Sequence, residues 1–451
     1  INATTNTFQI SATSGGSAIA LTTNGSASLL PYKIATVTIT PQVGQNLTNV
    51  NLSTKHNQSS LNAYTTGWLD IALSAPNATS ITISTSSGLR HAILERFNLI
   101  ASGNFTSTSN WFYNCLKLRE FIIPFSATAS VNNTSSMFFN CYSLTSVPLF
   151  NTASVNNTGS MFSSCNSLTS VPLFNTASVT NMSSMFFNCF SLTSVPLFNT
   201  ALVTSMSSMF SGCSSLTSVP LFNTALVTSM SQMFQNCYSL TSVPLFNTVS
   251  VNNMTNTFFN CYSLTSVPLF NTALVTSMNS MFNGCSSLTS VPLFNTASVT
   301  TMNGTFGNCY ALTSVPLFNT ASVTNMNSMF QSCNSLTSVP LFNTASATTI
   351  NSMFVLCFSL TSVPAYNFNA VSNSSNFTST FGTCGSLSRI EATGFRFTFS
   401  VSFCNLSSTA LNEIYTNLPT VTAQTITVTG NYGTAADNPA IATAKGWTVT
   451  G

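Results

Sequence analysis

The stretch SLTSVPLFNTASVTNMSSMFFNCFSLTSVPLFNT, Ser167 to Thr200, opens and closes on the same ten residues. The core phrase LTSVPLFNT occurs nine times, first at Leu144 and last at Leu336. Cysteines give its period. From Cys141 through Cys165, Cys189, Cys213, Cys237, Cys261, Cys285, Cys309 and Cys333 to Cys357, every step is 24 residues. A fixed period of this size marks a solenoid, whose coils bury their apolar faces only by stacking.

One coil can be read residue by residue. Leu192, Val195 and Leu197 fit a short strand with its apolar residues inward. Pro196 has no N–H, so stacking must run through its neighbours. Asn199 and Thr200 then turn the chain. Val203, Met206, Met209 and Phe210 are spaced for one helical or 3₁₀ turn on the opposite side. Leu94 and Phe97 precede Leu118 and Phe121 by 24 residues, so a first, degenerate coil is expected near Ile93. About thirteen coils over residues 93–404, at ~4.8 Å each, make a rod or arc roughly 60 Å long.

Composition narrows the function. Charged residues are 3% of the 451, against ~25% in ordinary domains. From Phe121 to Ser388 there is no Lys, Arg, Asp, Glu or His. With 44% hydrophobic residues the chain is not of a disordered class. A net charge of +3 without a basic cluster gives no track for phosphates, so nucleic acid is not an expected partner. No apolar run reaches the ~18 residues of a membrane helix, so membrane insertion is not expected. The chain begins at Ile1 without Met, as expected of a processed or partial N-terminus.

Chemistry finds little purchase. One cysteine per coil is the wrong spacing for a metal site, which needs several ligands close together. Stacked at ~5 Å, the cysteines are expected to form a ladder of buried, reduced thiols acting as small apolar residues. The only histidines, His56 and His91, precede the array, and no Ser-His-Asp set is in view. No enzyme, metal or cofactor is therefore expected. Asn151, Asn175, Asn199 and their equivalents to Asn343 are read as structural amides, bonding along the stack and satisfying turn backbone.

The segment MFFNCYSLTSVPLFNTASVNN, Met137 to Asn157, resembles the BspA-like leucine-rich-repeat surface proteins. Their coils carry Met-Phe-x-x-Cys-x-x-Leu-x-x-Leu/Val/Ile-Pro. The match covers roughly residues 93 to 404. The resemblance implies a right-handed solenoid with a parallel sheet on one face, a role in cell-surface or virion-surface attachment, and no catalysis. This chain lacks the charged residues many members carry between coils, so no particular partner transfers with the resemblance.

The ends differ from the array. Residues 1–30 alternate polar and apolar residues around Gly15-Gly16 and Asn24-Gly25, which is hairpin chemistry. They resemble small β-modules of phage fibre and tail proteins. Residues 31–92 contain KIATVTIT, GWLDIALS and SITISTS, expected as strands of a β-sandwich-like domain. In residues 405–451, Leu411, Ile414, Tyr415 and Leu418 are at helical spacing before Pro419. The strand QTITVTG, a short helix from Asn438-Pro439 and the strand WTVTG complete a β-α-β cap. The expected class is thus α+β, a leucine-rich-repeat solenoid between a β-sandwich-like module and a small cap.

Constant positions build the coil, so a partner should be sought where coils differ. The residue after each cysteine varies and is often aromatic: Tyr142, Phe190, Tyr238, Tyr262, Tyr310 and Phe358. A row of exposed aromatics suits a host or cell-surface protein or glycan, or copies of the chain itself. The expected function is an extracellular or virion-surface fibre or adhesin. The alternative is a self-assembling protein of a sheath or filament.

Overall fold

The computed structural model describes residues 49–51, 70–83, 94–102, 104–377 and 379–451. The expected hairpin module of residues 1–30 lies outside them, as do His56 and His91. The first elements are β1 (Asn49–Asn51), β2 (Asp70–Ala75), β3 (Ser80–Thr82), β4 (Arg96–Ser102) and β5 (Glu120–Ile122). All pair in parallel: β1 with β3, β2 with β4, β4 with β5. A β-sandwich is built of antiparallel sheets, so the described part of residues 31–92 departs from that expectation. Ile71 pairs with Phe97 and Phe97 with Phe121, which makes β2 a coil of the same stack. The solenoid therefore starts before residue 93 and has about fourteen turns rather than thirteen.

Along the array the parallel stack is carried by single-residue bridges. They run without a break from Ser107 through Asn133, Asn157, Asn181, Ser205 and onward to Thr349, one residue per coil. A continuous sheet does not form, because each coil turns away on both sides of the bridge. The coil Cys189–Gly212 shows how. Its Leu192, Val195, Phe198, Val203, Met206, Met209 and Phe210 are buried. Leu197, expected inward, is 59% exposed, and Phe198 takes its place inside. The Phe198 N–H donates to the Pro196 carbonyl at 3.0 Å. That three-residue turn, centred on Leu197, shifts the strand alternation by one position.

The expected helical turn at Met206–Phe210 is absent. Donors alternate there instead. Met209 and Ser211 N–H groups donate within the coil to the Met206 and Ser208 carbonyls. Ser208, Phe210 and Gly212 N–H groups donate to Ser231, Met233 and Gln235 of the next coil. Ser208 (φ 57°), in the middle of the segment, is left-handed, which breaks a right-handed helical turn there. Phe186 and Phe210 stack at 5.7 Å and 3°, and the same pairing repeats along the array. A second column stacks beside it, Phe198 on Phe222 at 6.5 Å and 8°. These rings and the Leu192 column form one continuous core, each fully buried side chain contributing about 1.5–3 kcal/mol.

Beyond the last regular coil come β6 (Ser362–Val363), β7 (Arg389–Ile390) and β8 (Phe399–Ser400). The C-terminal unit follows as α1 (Ser408–Asn417), β9 (Gln424–Thr427), α2 (Ala440–Thr443) and β10 (Trp447–Thr450). Strands β8, β9 and β10 lie side by side, all parallel. Ser407 caps α1, its hydroxyl accepting from the Ala410 N–H at 3.1 Å. The helix turns Leu411, Ile414 and Tyr415 inward. Lys445 Nζ donates to the Tyr415, Thr416 and Leu418 carbonyls at its C-terminus.

Candidate functional site

The interior of the array holds polar groups that are fully engaged. All thirteen cysteines are buried free thiols. They are more than apolar filler: every one except Cys115 donates its Sγ–H to a phenylalanine carbonyl about one turn down the stack, as Cys237 does to Phe210 at 3.1 Å and Cys213 to Phe186 at 3.1 Å. Burial pushes their thiols up from the ordinary range, Cys357 to about 12 and Cys165 likewise upward. Cys404 is the exception. It is held down by a hydrogen bond with Cys384, whose own thiol is raised by the same contact and by burial. A neutral, inaccessible thiol is a poor nucleophile and a poor metal ligand. Among the described residues no three His, Cys, Asp or Glu side chains cluster.

The Asn column works locally. Asn199 Oδ1 accepts from the Ala201 N–H at 3.1 Å, closing an Asx turn, and its equivalents repeat the contact. Bonding along the stack falls to Thr200, whose buried hydroxyl donates to the Asn223 carbonyl at 2.8 Å. The same bond recurs at Thr176, Thr224 and Thr248. The Asn side chains thus leave one face of each turn exposed without binding the next coil.

Two long columns bring apolar side chains to solvent, beside scattered residues such as Leu202, Leu226 and Leu274. The first is the one expected from sequence. Tyr142, Phe190, Tyr238, Tyr262, Tyr310 and Phe358 are each 40–46% exposed. Only Tyr238 and Tyr262 meet, stacked at 4.9 Å and 10°. Asn166, Ser214, Ser286 and Asn334 occupy the same column in the coils between. The aromatics therefore form one pair and four isolated rings, not a continuous ridge.

The second column was hidden by the misplaced strand register. Leu149, Leu173, Leu197, Leu221, Leu245, Leu269, Leu293, Leu317 and Leu341 all point outward, each 53–61% exposed. No coil interrupts them. At the N-terminal end Phe125 joins Leu149 and Leu173 along a shallow groove that also takes in Asn151, Ala153 and Asn175. The signal in the sequence was Pro-Leu-Phe itself. Two large apolar residues follow the proline, and only one can face in; the phenylalanine column stacks, so the leucine goes out.

Charge is confined to the ends. Asp70 pairs with Arg96 at 2.9 Å, and Arg389 pairs with Glu391 and Glu413, all exposed. No helix of the described residues is long and apolar enough to cross a membrane.

Near-identical 24-residue coils with closed cores, inert thiols and outward apolar columns define a parallel repeat solenoid. The chain belongs to the family described as Mycoplasma protein of unknown function, DUF285, whose model matches residues 94–196, 169–268, 190–291, 240–333 and 276–390. Among curated proteins none matches it. Solved structures to which this chain shows similarity include a leucine-rich cell surface protein of Faecalibacterium prausnitzii, 19% identical, covering 66% of this chain and 88% of that one, TM-score 0.32. A leucine-rich-repeat protein of Bacteroides ovatus is 18% identical over 88% of this chain and 94% of that one, TM-score 0.33. The pneumococcal vaccine antigen PcpA is 13% identical over 67% and 85%, TM-score 0.36.

Proposed function

We propose that the chain is a non-enzymatic repeat protein of an extracellular, cell or virion surface, acting in attachment as a fibre or adhesin. The observation that supports this is the contrast within each coil. A nearly constant, uncharged scaffold carries an exposed column whose residue changes from coil to coil and is aromatic in six of them. Flat rings with a hydroxyl suit both sugars and protein surfaces at low entropic cost. Tyr238 and Tyr262 form the widest aromatic platform and are the centre of the proposed contact. Residues 405–451 act in this reading as the cap of the array.

The test is a triple substitution, Tyr238→Ser, Tyr262→Ser and Tyr310→Ser, using the residue already present at Ser214 and Ser286. Binding to host cells and to arrayed glycans is compared with the parent chain, with circular dichroism as the folding control. A folded variant that attaches with unchanged affinity removes the aromatic column from the function. The second reading, self-assembly into a sheath or filament, has the outward leucine column in its favour.

A further inference from the structure

We propose that the leucine column joins two copies of this chain, antiparallel, about a two-fold axis passing beside Leu245. The inference is independent of the attachment reading, because it uses a different column of the coil.

The surface calls for a cover. Nine leucines in an unbroken row, with more than half of each exposed, present on the order of 1,000 Å² of apolar surface, beyond the ~300–600 Å² of the largest patch on an ordinary monomer. A standard interface needs about 800 Å² per partner.

The chemistry selects a copy as the occupant. No ionisable Lys, Arg, Asp, Glu or His lies between Phe121 and Ser388. Two such faces meet without like-charge repulsion and without burying an ion, whereas a charged partner finds no counter-charge. The row is also periodic. Side chains repeating at the coil spacing of ~4.8 Å fit into the gaps of a surface with that same repeat, and a second copy has it by construction.

The ends of the row select the orientation. Phe125 and Ala365 lie equally far, five coils, on either side of Leu245. Phe125 is 56% exposed at the groove beside Leu149, and Ala365, 24 residues past Leu341, is exposed in the leucine position. A two-fold axis at Leu245 sets the bulky Phe125 of one copy over the small Ala365 of the partner subunit, at both ends. A parallel pair sets Phe on Phe and Ala on Ala, and a slip of one coil sets Phe on Leu. Large-against-small pairing at both ends therefore fixes one register in a row that is otherwise uniform.

The experiment uses the full chain. Sedimentation velocity over a concentration series should show a dimer for the parent and a monomer for the triple variant Leu221→Asp, Leu245→Asp, Leu269→Asp. These side chains are exposed, so the substitutions open no cavity, and circular dichroism checks the fold. Orientation is read by oxidation of single-cysteine variants, the native thiols being buried. Leu245→Cys should cross-link to itself. Leu149→Cys should not, but should cross-link when mixed with Leu341→Cys. This series also decides the matter should the charged variant not fold. The Tyr238, Tyr262 and Tyr310 variant should remain dimeric, so loss of attachment and loss of pairing are scored apart. A parent chain that is monomeric at ~100 µM, a dimer that survives the three aspartates, or self-cross-linking of Leu149→Cys overturns the proposal.

Discussion

At the residue scale, the array is held by bonds that repeat in register from one coil to the next. Thr200 donates its buried hydroxyl to the Asn223 carbonyl, so Thr200→Val keeps the shape and loses the bond. A cost of about 1–2 kcal/mol is expected in chemical denaturation. Cys237→Ala removes a sulfur and a weak donor from a carbonyl that the Cys213 N–H also serves. It should cost about 1–2 kcal/mol. The thiols also set a pH limit. From Cys115 to Cys357 they are raised in the fold by burial above all, and Cys384 is raised by its contact with Cys404 and then by burial. The neutral form is the folded form, so their contribution is complete below the unfolded thiol range near pH 8.5. It falls as pH rises above that, by up to about 1.4 kcal/mol per pH unit per thiol. The melting temperature should be flat from about pH 5 to 8 and drop steeply in alkali. Stability that holds to pH 11 would contradict the buried-thiol ladder.

At the element scale, what is constrained locally differs from what is constrained by stacking. Gly212 shows the second kind. Its φ is +80°, and a Cβ there would lie 2.2 Å from Asn188 Oδ1 of the coil before. Gly212→Ala should therefore cost about 1–3 kcal/mol, whereas Ser208→Gly, at a left-handed position with a side chain, should be neutral or better, both read from melting curves. The period, the buried cysteines and the inward Leu192 and Val195 were legible, because each follows from spacing alone. Leu197 was not. Strand alternation from Val195 puts it inside, and the turn that reverses this is a single bond from Phe198 to Pro196. The Met206–Phe210 segment failed for a related reason. Its apolar spacing fits a helix, but its backbone groups find better partners in the next coil. In a solenoid the neighbour one period away is as close as the neighbour four residues away. The six aromatics after the cysteines are exposed, but only Tyr238 and Tyr262 occupy adjacent coils, so they do not form the expected continuous row.

At the scale of the whole molecule, electrostatics has little to act on. The exposed pairs Asp70–Arg96 and Arg389–Glu413 sit at the ends and contribute little. The melting temperature should hardly change between low salt and ~0.5 M sodium chloride. Stability is instead a sum over coils and their joints. Removing Cys189–Gly212 brings Asn188 to Cys213, the same junction that existed before, and leaves every column aligned. The shortened chain should fold, with a denaturation enthalpy lower by about the share of one coil. The nine identical phrases give this property a meaning for the lineage as well as for the molecule. Recombination between any two of them adds or removes whole turns and nothing else, so variants differ in reach by increments of ~4.8 Å. The gene thereby carries a ruler, and the distance this protein spans is a number that inheritance can count up or down.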